Sequence, residues 1–329
     1  MKFIYSNTSD ASFNLASEEY FLKNFDEDLF FLYINSPAIV CGKHQNTLAE
    51  IDFSYTQNNN INIFRRLSGG GTVYHDLGNI NFCFITNEIK GELVNFEKYL
   101  TYITKFLGTK QIETSIGKRH ELIVDGKKIS GNASHVYKNR VMHHGTLLFD
   151  SQLEVLNNCL KIDPLKYTDK AVKSVRSEVT NISQYIMESI SAQEFSIQLF
   201  NWLQGEFENS SIYELTKIDE QNINEINRIK FSTWNWTYGY SPNYIFERCV
   251  DLGEGKQVKV EMSVSKGTIS TIEFEASTPE LKLLADELQS KLKNVPHAKK
   301  EIEAILSNLN TLKEKGTTLT QEKLLPLFF

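Results

Sequence analysis

Three consecutive glycines, Gly69, Gly70 and Gly71, sit between an arginine pair and a segment that alternates like a strand: Phe64-Arg65-Arg66-Leu67-Ser68-Gly69-Gly70-Gly71-Thr72-Val73-Tyr74-His75-Asp76. Without a Cβ the backbone can adopt positive φ, and a ligand can come close to bare N–H groups. Successive N–H groups form a concavity that suits an anion. Arg65 and Arg66 add positive charge, and a guanidinium can grip a carboxylate or phosphate through two parallel bonds. The stretch reads as a cradle for a small anion, against the plainer reading of a flexible turn beside a surface arginine pair. Two familiar phosphate motifs are absent: no lysine follows the glycines as in a P-loop, and the spacing is not Gly-x-Gly-x-x-Gly.

The rest of the chain sets limits. Its 329 residues allow one large core and a smaller domain. A hydrophobic fraction of 41% and an aromatic fraction of 12% belong to a globular protein. The formal net charge of −6 gives no reason to expect nucleic acid as a partner. Cys41, Cys83, Cys159 and Cys249 are scattered with no Cys-x-x-Cys, so reduced, buried thiols and a cytoplasmic location are expected. The start carries no signal-peptide pattern, and the longest apolar run, Leu29 to Ile34, is too short to span a membrane.

Along the chain, Phe3 to Tyr5 reads as a strand, and Asp10 is placed to cap a helix over 11–24. Leu29 to Ile34 and Ala38 to Cys41 read as buried strands, followed by a polar loop, Gly42-Lys43-His44-Gln45-Asn46. Thr47 is expected to cap a helix reaching Gln57, and Ile61 to Phe64 leads into the glycines. Beyond them, Val73, His75 and Leu77 are expected on one strand face. Ile80, Phe82 and Phe84 share a face of the next strand. A helix over 94–107 precedes Leu122-Ile123-Val124, an Asp125-Gly126 turn and a strand through Ser130. A second hairpin turns at Lys138-Asn139-Arg140. Leu153, Leu156 and Leu160 mark a short helix. Residues 161–180, with Pro164, read as a long mobile loop of the kind that serves as a lid. Helices are expected near 192–207 and 219–230. The aromatic cluster Phe231, Trp234, Trp236, Tyr238 and Tyr240 looks like a seam into a last domain. That domain has strands near 244–251, 256–264 and 267–276 and helices near 279–293, 297–308 and 319–327.

Three blocks in order carry a resemblance. Arg65 to Asn79 is the first. Asp125-Gly126-Lys127-Lys128-Ile129-Ser130-Gly131-Asn132-Ala133 with His143-His144-Gly145-Thr146-Leu147-Leu148 is the second, and Lys173 to Ile182 is the third. Together they closely resemble the signatures of lipoate–protein ligases. Asn14-Leu15-Ala16, Glu18-Glu19, the 42–46 loop and Trp234 to Gly239 fit the same family, so the resemblance covers nearly the whole chain. It implies a mixed α/β (α+β) fold. A biotin-synthetase-like domain, related to class II aminoacyl-tRNA synthetases, would span 1–240. A small α/β accessory domain would span 241–329. It implies an ATP-dependent ligase, which activates lipoate or octanoate to the acyl-AMP and transfers the acyl group to a lysine. The acceptors would be lipoyl domains of 2-oxoacid dehydrogenase acyltransferase subunits or the glycine-cleavage H protein. A monomer is expected, with no nucleic acid or membrane partner.

By the same resemblance, Lys128 is the catalytic residue. A fixed ammonium offsets the repulsion between a carboxylate and ATP and stabilises charge in the transition state. Taken alone, it would read as a surface lysine on a hairpin edge, as Lys127 does. Arg66, Ser68, Gly69, Gly70, Gly71, His75, Asn79, Ser130, Gly131, Asn132, His144, Gly145 and Thr146 match positions that bind the acyl-adenylate. Lys173, Ser174, Val175 and Arg176 match its lid. Val73, Ile80, Phe82 and Leu147 are expected to wall a slot for the acyl chain. Neither His75 nor His144 pairs with a nucleophile in sequence, so no Ser-His-Asp arrangement is expected. Mg²⁺ is expected with ATP, its ligands unassigned. One segment departs from the family: Gly117-Lys118-Arg119-His120-Glu121 stands where many relatives read Gly-Arg-Asn-Asp. This leaves nucleotide activation open to being altered, weakened or supported by other residues. Two rivals stand beside the ligase: an acyl transferase working between proteins without ATP, and a non-catalytic module that binds lipoyl-AMP.

Overall fold

The computed structural model describes all residues except 89–93, 164, 254, 311 and 313–318. The chain forms two compact units. The first comprises Met1–Lys43, Asn58–Leu160 and Lys173–Thr233. The second comprises His44–Gln57, Lys161–Val172 and Trp234–Phe329, so it is not one contiguous C-terminal segment.

The first unit is built on a six-stranded mixed sheet. Its order is Asn132–Tyr137, Arg140–Leu148, Asn79–Asn87, Leu29–Ile34, Lys2–Tyr5 and Ser211–Ile212. The first four strands run antiparallel to their neighbours and the last two join in parallel. Strand alternation sends Phe30, Leu32, Ile80, Phe82, Phe84 and Leu147 into one core beneath the helices Phe96–Thr109 and Ala192–Glu206. The opposite face of the same strands carries Tyr33, Asn81, His144 and Thr146, which line a cavity.

Two three-stranded sheets supply further lining of the cavity. One pairs Ala38–Cys41 in parallel with Asn62–Arg65 and antiparallel with Val73–His75. The other runs Ser115–Ile116, Leu122–Val124 and Lys127–Ser130. Its tight turn places Asp125 at φ 48° and Gly126 at φ 76°, as the Asp-Gly pair predicts. The helix Ala11–Asn24 is capped by Asp10, which accepts from the Ser12 and Phe13 amides. It buries polar as well as apolar residues, including Asn14, Ser17, Glu18 and Glu19. Burying that many polar groups is costly unless each is bonded, so this helix does more than fill space.

The second unit packs an antiparallel sheet, Tyr167–Asp169, Tyr244–Asp251, Gln257–Ser265 and Thr268–Ala276. Its core takes in Leu48 and residues of the helices Pro279–Leu292 and Lys299–Leu306.

Several local expectations need correction. The helix expected from Thr47 to Gln57 is two pieces, a 3-10 turn at Thr47–Glu50 and a helix at Phe53–Asn58. Asp52 interrupts it by accepting from the Tyr55 amide at 2.8 Å. The strand expected to reach Leu77 ends at His75. Asp76 turns the chain by accepting from Gly78 N at 2.9 Å, which leaves Leu77 62% exposed. The 161–180 segment is not without structure. Tyr167–Asp169 is a strand, and Lys128 N and O bond Glu178 O and Thr180 N. Pro164 lies outside the described residues. The helix near 219–230 is Lys217–Ile226, started by a Thr216–Asp219 capping box, with a wider turn at Asn227–Phe231.

Candidate active site

A cavity of about 210 Å³ opens within the first unit. One end is polar. Gly70 and Gly71 of the glycine loop, Lys128, Gly131 and Asn132 of the lysine hairpin, Arg119 and Glu121 meet there with Ser174 and Val175. Leu15, Val40 and Val73 give the cavity apolar walls, beside Tyr33, His75, Asn81 and His144.

The glycine loop is held open from beneath. Gly70 has φ 86°, which only glycine takes without strain. Arg66 is buried rather than at the surface. Its Nη2 donates to Gly69 O at 2.5 Å and Gly71 O at 2.8 Å, its Nη1 to Val40 O at 3.0 Å, and its Nε to Ser68 Oγ at 2.9 Å. The guanidinium therefore turns the loop carbonyls inward. Burial lowers its pKa to about 10, though Cys41 and Glu18 act against that fall. Arg65 alternates away, fully buried, and donates to Gly42 O and Lys43 O.

Lys128 enters from the hairpin strand. Its backbone is pinned by Glu178 and Thr180, while its ammonium makes no hydrogen bond or ion pair among the described residues. Burial, then the charge of Arg119, lowers its pKa, and Glu121 works the other way. Gly131 leaves room for it: a Cβ there would lie 3.3 Å from Lys128 Nζ. Lys127 points away and pairs with Glu178 at 3.2 Å.

His75 has a determined tautomer. Asn14 Nδ2 donates to Thr8 O and, at 2.8 Å, to Asn35 Oδ1. Asn35 must then offer its Nδ2 to His75 Nδ1, at 3.0 Å. The proton sits on Nε2, which finds no acceptor among the described residues. Burial, then the charges of Arg66 and His144, pushes the His75 pKa down to about 3, so the ring is neutral.

What surrounds His144 is not legible from the residues near it in the chain. Its Nε2 lies 2.6 Å from Ser68 Oγ, and its Nδ1 lies 2.9 Å from both Glu18 carboxylate oxygens. The set has the outline of a Ser–His–Glu relay, yet Ser68 is 0% exposed and does not line the cavity. Its oxygen already takes a hydrogen bond from Arg66, so it is a link in a frame and not a nucleophile.

Among the sequence-derived candidates, Arg66, Gly70, Gly71, His75, Lys128, Gly131, Asn132, His144, Gly145, Thr146, Ser174 and Val175 line the cavity. Ser68, Gly69, Asn79, Ser130, Lys173 and Arg176 do not. Asn79 Nδ2 donates to Asn81 Oδ1, and Ser130 Oγ accepts from Asn132, so both stand behind lining residues. Ser174 Oγ accepts from Thr72 N at 2.9 Å and joins the third block to the glycine loop. Of the expected apolar wall, Val73 is in place, while Ile80, Phe82 and Leu147 belong to the main core. Leu15, Tyr33, Val40 and Asn81 take their place; the error was one of strand parity, which hydrophobicity alone does not settle. Arg119 and Glu121 also line the cavity, so the atypical segment contributes both a cation and a carboxylate.

Residues 10–204 match the lipoyl protein ligase A/B catalytic domain, and residues 241–328 match the bacterial lipoate protein ligase C-terminus. Lipoate–protein ligase 1 of Staphylococcus aureus is 40% identical over 272 residues, 82% of each chain. The chain belongs to the lipoate–protein ligase family. Lipoate–protein ligase LplJ of Bacillus subtilis is 38% identical over 80% of each chain. Among solved structures, the Plasmodium falciparum ligase LipL1 in complex with lipoate has a TM-score of 0.62 at 23% identity, covering 94% of each chain. A lipoate–protein ligase A bound with ATP has a TM-score of 0.61 at 22% identity, over 73% of this chain and 98% of that one. These neighbours share the fold, so the mixed α/β architecture expected from the sequence is borne out. Enzymes of this family form an amide bond between lipoate and a lysine. Among the described residues, no helix is long and apolar enough to cross a membrane.

Proposed function

We propose that this protein activates lipoate with ATP at the Lys128 cavity and transfers the lipoyl group to a lysine of a lipoyl domain. One observation carries the reading. An ammonium that makes no hydrogen bond or ion pair among the described residues and two glycines of the glycine loop line one cavity that also has apolar walls. In the first step a lipoate carboxylate oxygen attacks the α-phosphorus of ATP, the bond to pyrophosphate breaks, and lipoyl-AMP forms. Lys128 offsets the repulsion between the two anions, and Gly70 and Gly71 donate to phosphate or acyl oxygen. Leu15, Val40 and Val73 exclude water around the acyl chain. In the second step the acceptor lysine's neutral amine attacks the acyl carbon, AMP leaves, and the amine gives up a proton as the amide forms.

Among the described residues no group of three or more His, Cys, Asp or Glu is arranged to hold a metal. Glu121 is a carboxylate at the cavity, and that suits Mg²⁺, which is commonly carried on substrate phosphates with one or two protein carboxylates. Bound there, Mg²⁺ would neutralise phosphate charge. The lid role of the third block rests on Ser174, which lies against Gly71 and accepts from Thr72 N, with Val175 beside it in the cavity lining. The first unit is then catalytic and the second accessory. None of the four cysteines is in a disulfide, in keeping with the cytoplasm. No cysteine is among the lining residues, which disfavours a thioester transferase. A bipartite lipoate protein ligase of Thermoplasma acidophilum, described together with its E2 lipoyl domain, shares the fold (TM-score 0.62), which supports a lipoyl domain as acceptor here, in a 2-oxoacid dehydrogenase acyltransferase subunit or, by family resemblance, the glycine-cleavage H protein. Mass spectrometry of a lipoyl domain incubated with protein, lipoate, ATP and Mg²⁺ should show one added lipoyl group. Modification that proceeds without ATP from an acylated carrier protein would favour the transferase, and adenylate binding with no transfer would favour the binding module.

A further inference from the structure

Glu18 lies on the Ala11–Asn24 helix with 1% exposure, a carboxylate taken almost entirely out of water. Such a group is tolerated only when its oxygens are bonded. Tyr33 Oη donates to Glu18 Oε1 at 3.1 Å, and His144 Nδ1 lies 2.9 Å from both oxygens. Tyr33 and His144 both line the cavity. The donor sequence then runs one way. The Glu18 carboxylate can only accept, so the His144 proton sits on Nδ1 facing it, and Nε2 accepts from Ser68 Oγ, which itself accepts from Arg66 Nε. Every link is satisfied, from the helix carboxylate to the guanidinium that holds Gly69 and Gly71.

We propose that Glu18 is a positioning residue for the ligase reaction, acting through Tyr33 on the acyl slot and through His144, Ser68 and Arg66 on the anion-binding glycine loop. It touches neither substrate. It orients side chains that do, and its charge offsets the buried guanidinium at the far end of the same network. The proposal rests on the adenylation reading, so wild-type lipoyl-AMP formation is the baseline. If the wild type forms none, that reading fails first and independently.

The test is the kinetics of lipoyl-AMP formation in Glu18→Gln, Glu18→Asp, Ser68→Ala and the double variant Glu18→Gln/Ser68→Ala. Glu18→Gln retains the shape but puts an amide donor against His144 Nδ1–H. We expect kcat/KM for lipoate and for ATP both to fall, each by about tenfold or more. Glu18→Asp should recover part of the loss. The double variant should be little worse than the worse single variant, because both break one chain of contacts. A folded Glu18→Gln enzyme with wild-type constants would overturn the proposal, as would multiplicative effects in the double variant. Should the glutamine variant fail to fold, NMR of the wild type decides. An Nδ1–H resonance assigned to His144 that shifts when lipoate binds supports the network, and an Nε2-protonated His144 refutes it.

Discussion

Substituting Gly42 by alanine tests the cradle without touching any group that does chemistry. Gly42 follows the Ala38–Cys41 strand, and an added Cβ would stand 2.1 Å from Gly70 O, 3.0 Å from Gly70 C and 3.2 Å from Arg66 Nη2. Real Cβ contacts do not fall below 3.0 Å, so the Gly70 carbonyl must retreat by about 0.9 Å. The obstacle is backbone, so no side chain can swing aside. The Gly70 carbonyl shares a planar peptide with the Gly71 N–H, and the two move together. That N–H is one of the donors assigned to the anion. A misplacement of about 1 Å at a reacting centre can cost about 100-fold in rate. Lipoate-dependent pyrophosphate release from ATP should therefore drop by about two orders of magnitude in Gly42→Ala. The overpacking should lower stability by only about 1–3 kcal/mol. Gly108→Ala and Gly205→Ala are the controls: both positions lie in helices with nothing within 4 Å of an added Cβ, and both should keep full activity. A Gly42→Ala enzyme that melts like the wild type and releases pyrophosphate at the wild-type rate would refute the assignment of the glycine loop.

Three further perturbations have expected outcomes. Lys128→Ala should cut lipoyl-AMP formation by about 100-fold or more while leaving the melting temperature near that of the wild type. Because burial holds its pKa below 10.5, the alkaline limb of wild-type adenylation should fall earlier than for an ordinary lysine, and a limb at or above 10.5 would contradict that environment. Ser174→Ala removes the acceptor for Thr72 N and should raise KM for ATP several-fold with a smaller change in stability, read by initial rates at varied ATP. His297 is buried and neutral, accepting from Tyr244 Oη at 2.7 Å and donating to Phe328 O at 2.6 Å, and burial pushes its pKa down to about 4. The unfolded chain binds the proton near 6.5 and the fold resists it, so stability is full above 6.5 and declines as pH falls toward 4. The decline is on the order of 3 kcal/mol. Denaturant midpoints across that window should fall in the wild type and fall less in His297→Gln.

What could be read from the chain divides along a physical line. Local signals were sufficient where a backbone conformation or a cap admits few residues: Asp125-Gly126 fixed its hairpin and Asp10 its helix start. They were insufficient where a choice of face depends on what lies across the sheet. Ile80, Phe82 and Leu147 are as apolar as any slot wall, but the helices at 96–109 and 192–206 claim that side and leave Asn81, His144 and Thr146 to the cavity. A polar residue at an alternating position in a nearly fully buried strand was the usable sign, because a group such as Asn81 is costly on an apolar core face and here bonds Asn79 and Tyr33 O on the cavity side instead. Glu18 was harder to see. It is separated from His144 by 126 positions, and nothing in the helix pattern tells a buried acid from a solvated one. Its role is visible only once the direction of each hydrogen bond is followed, from an arginine that cannot accept to a carboxylate that cannot donate. The same reasoning bears on Arg119 and Glu121. They look like departures from a family pattern when read in line, yet both line the cavity beside Lys128, where a cation suits two anionic reactants, a carboxylate and ATP, and a carboxylate suits the metal that ATP phosphates carry.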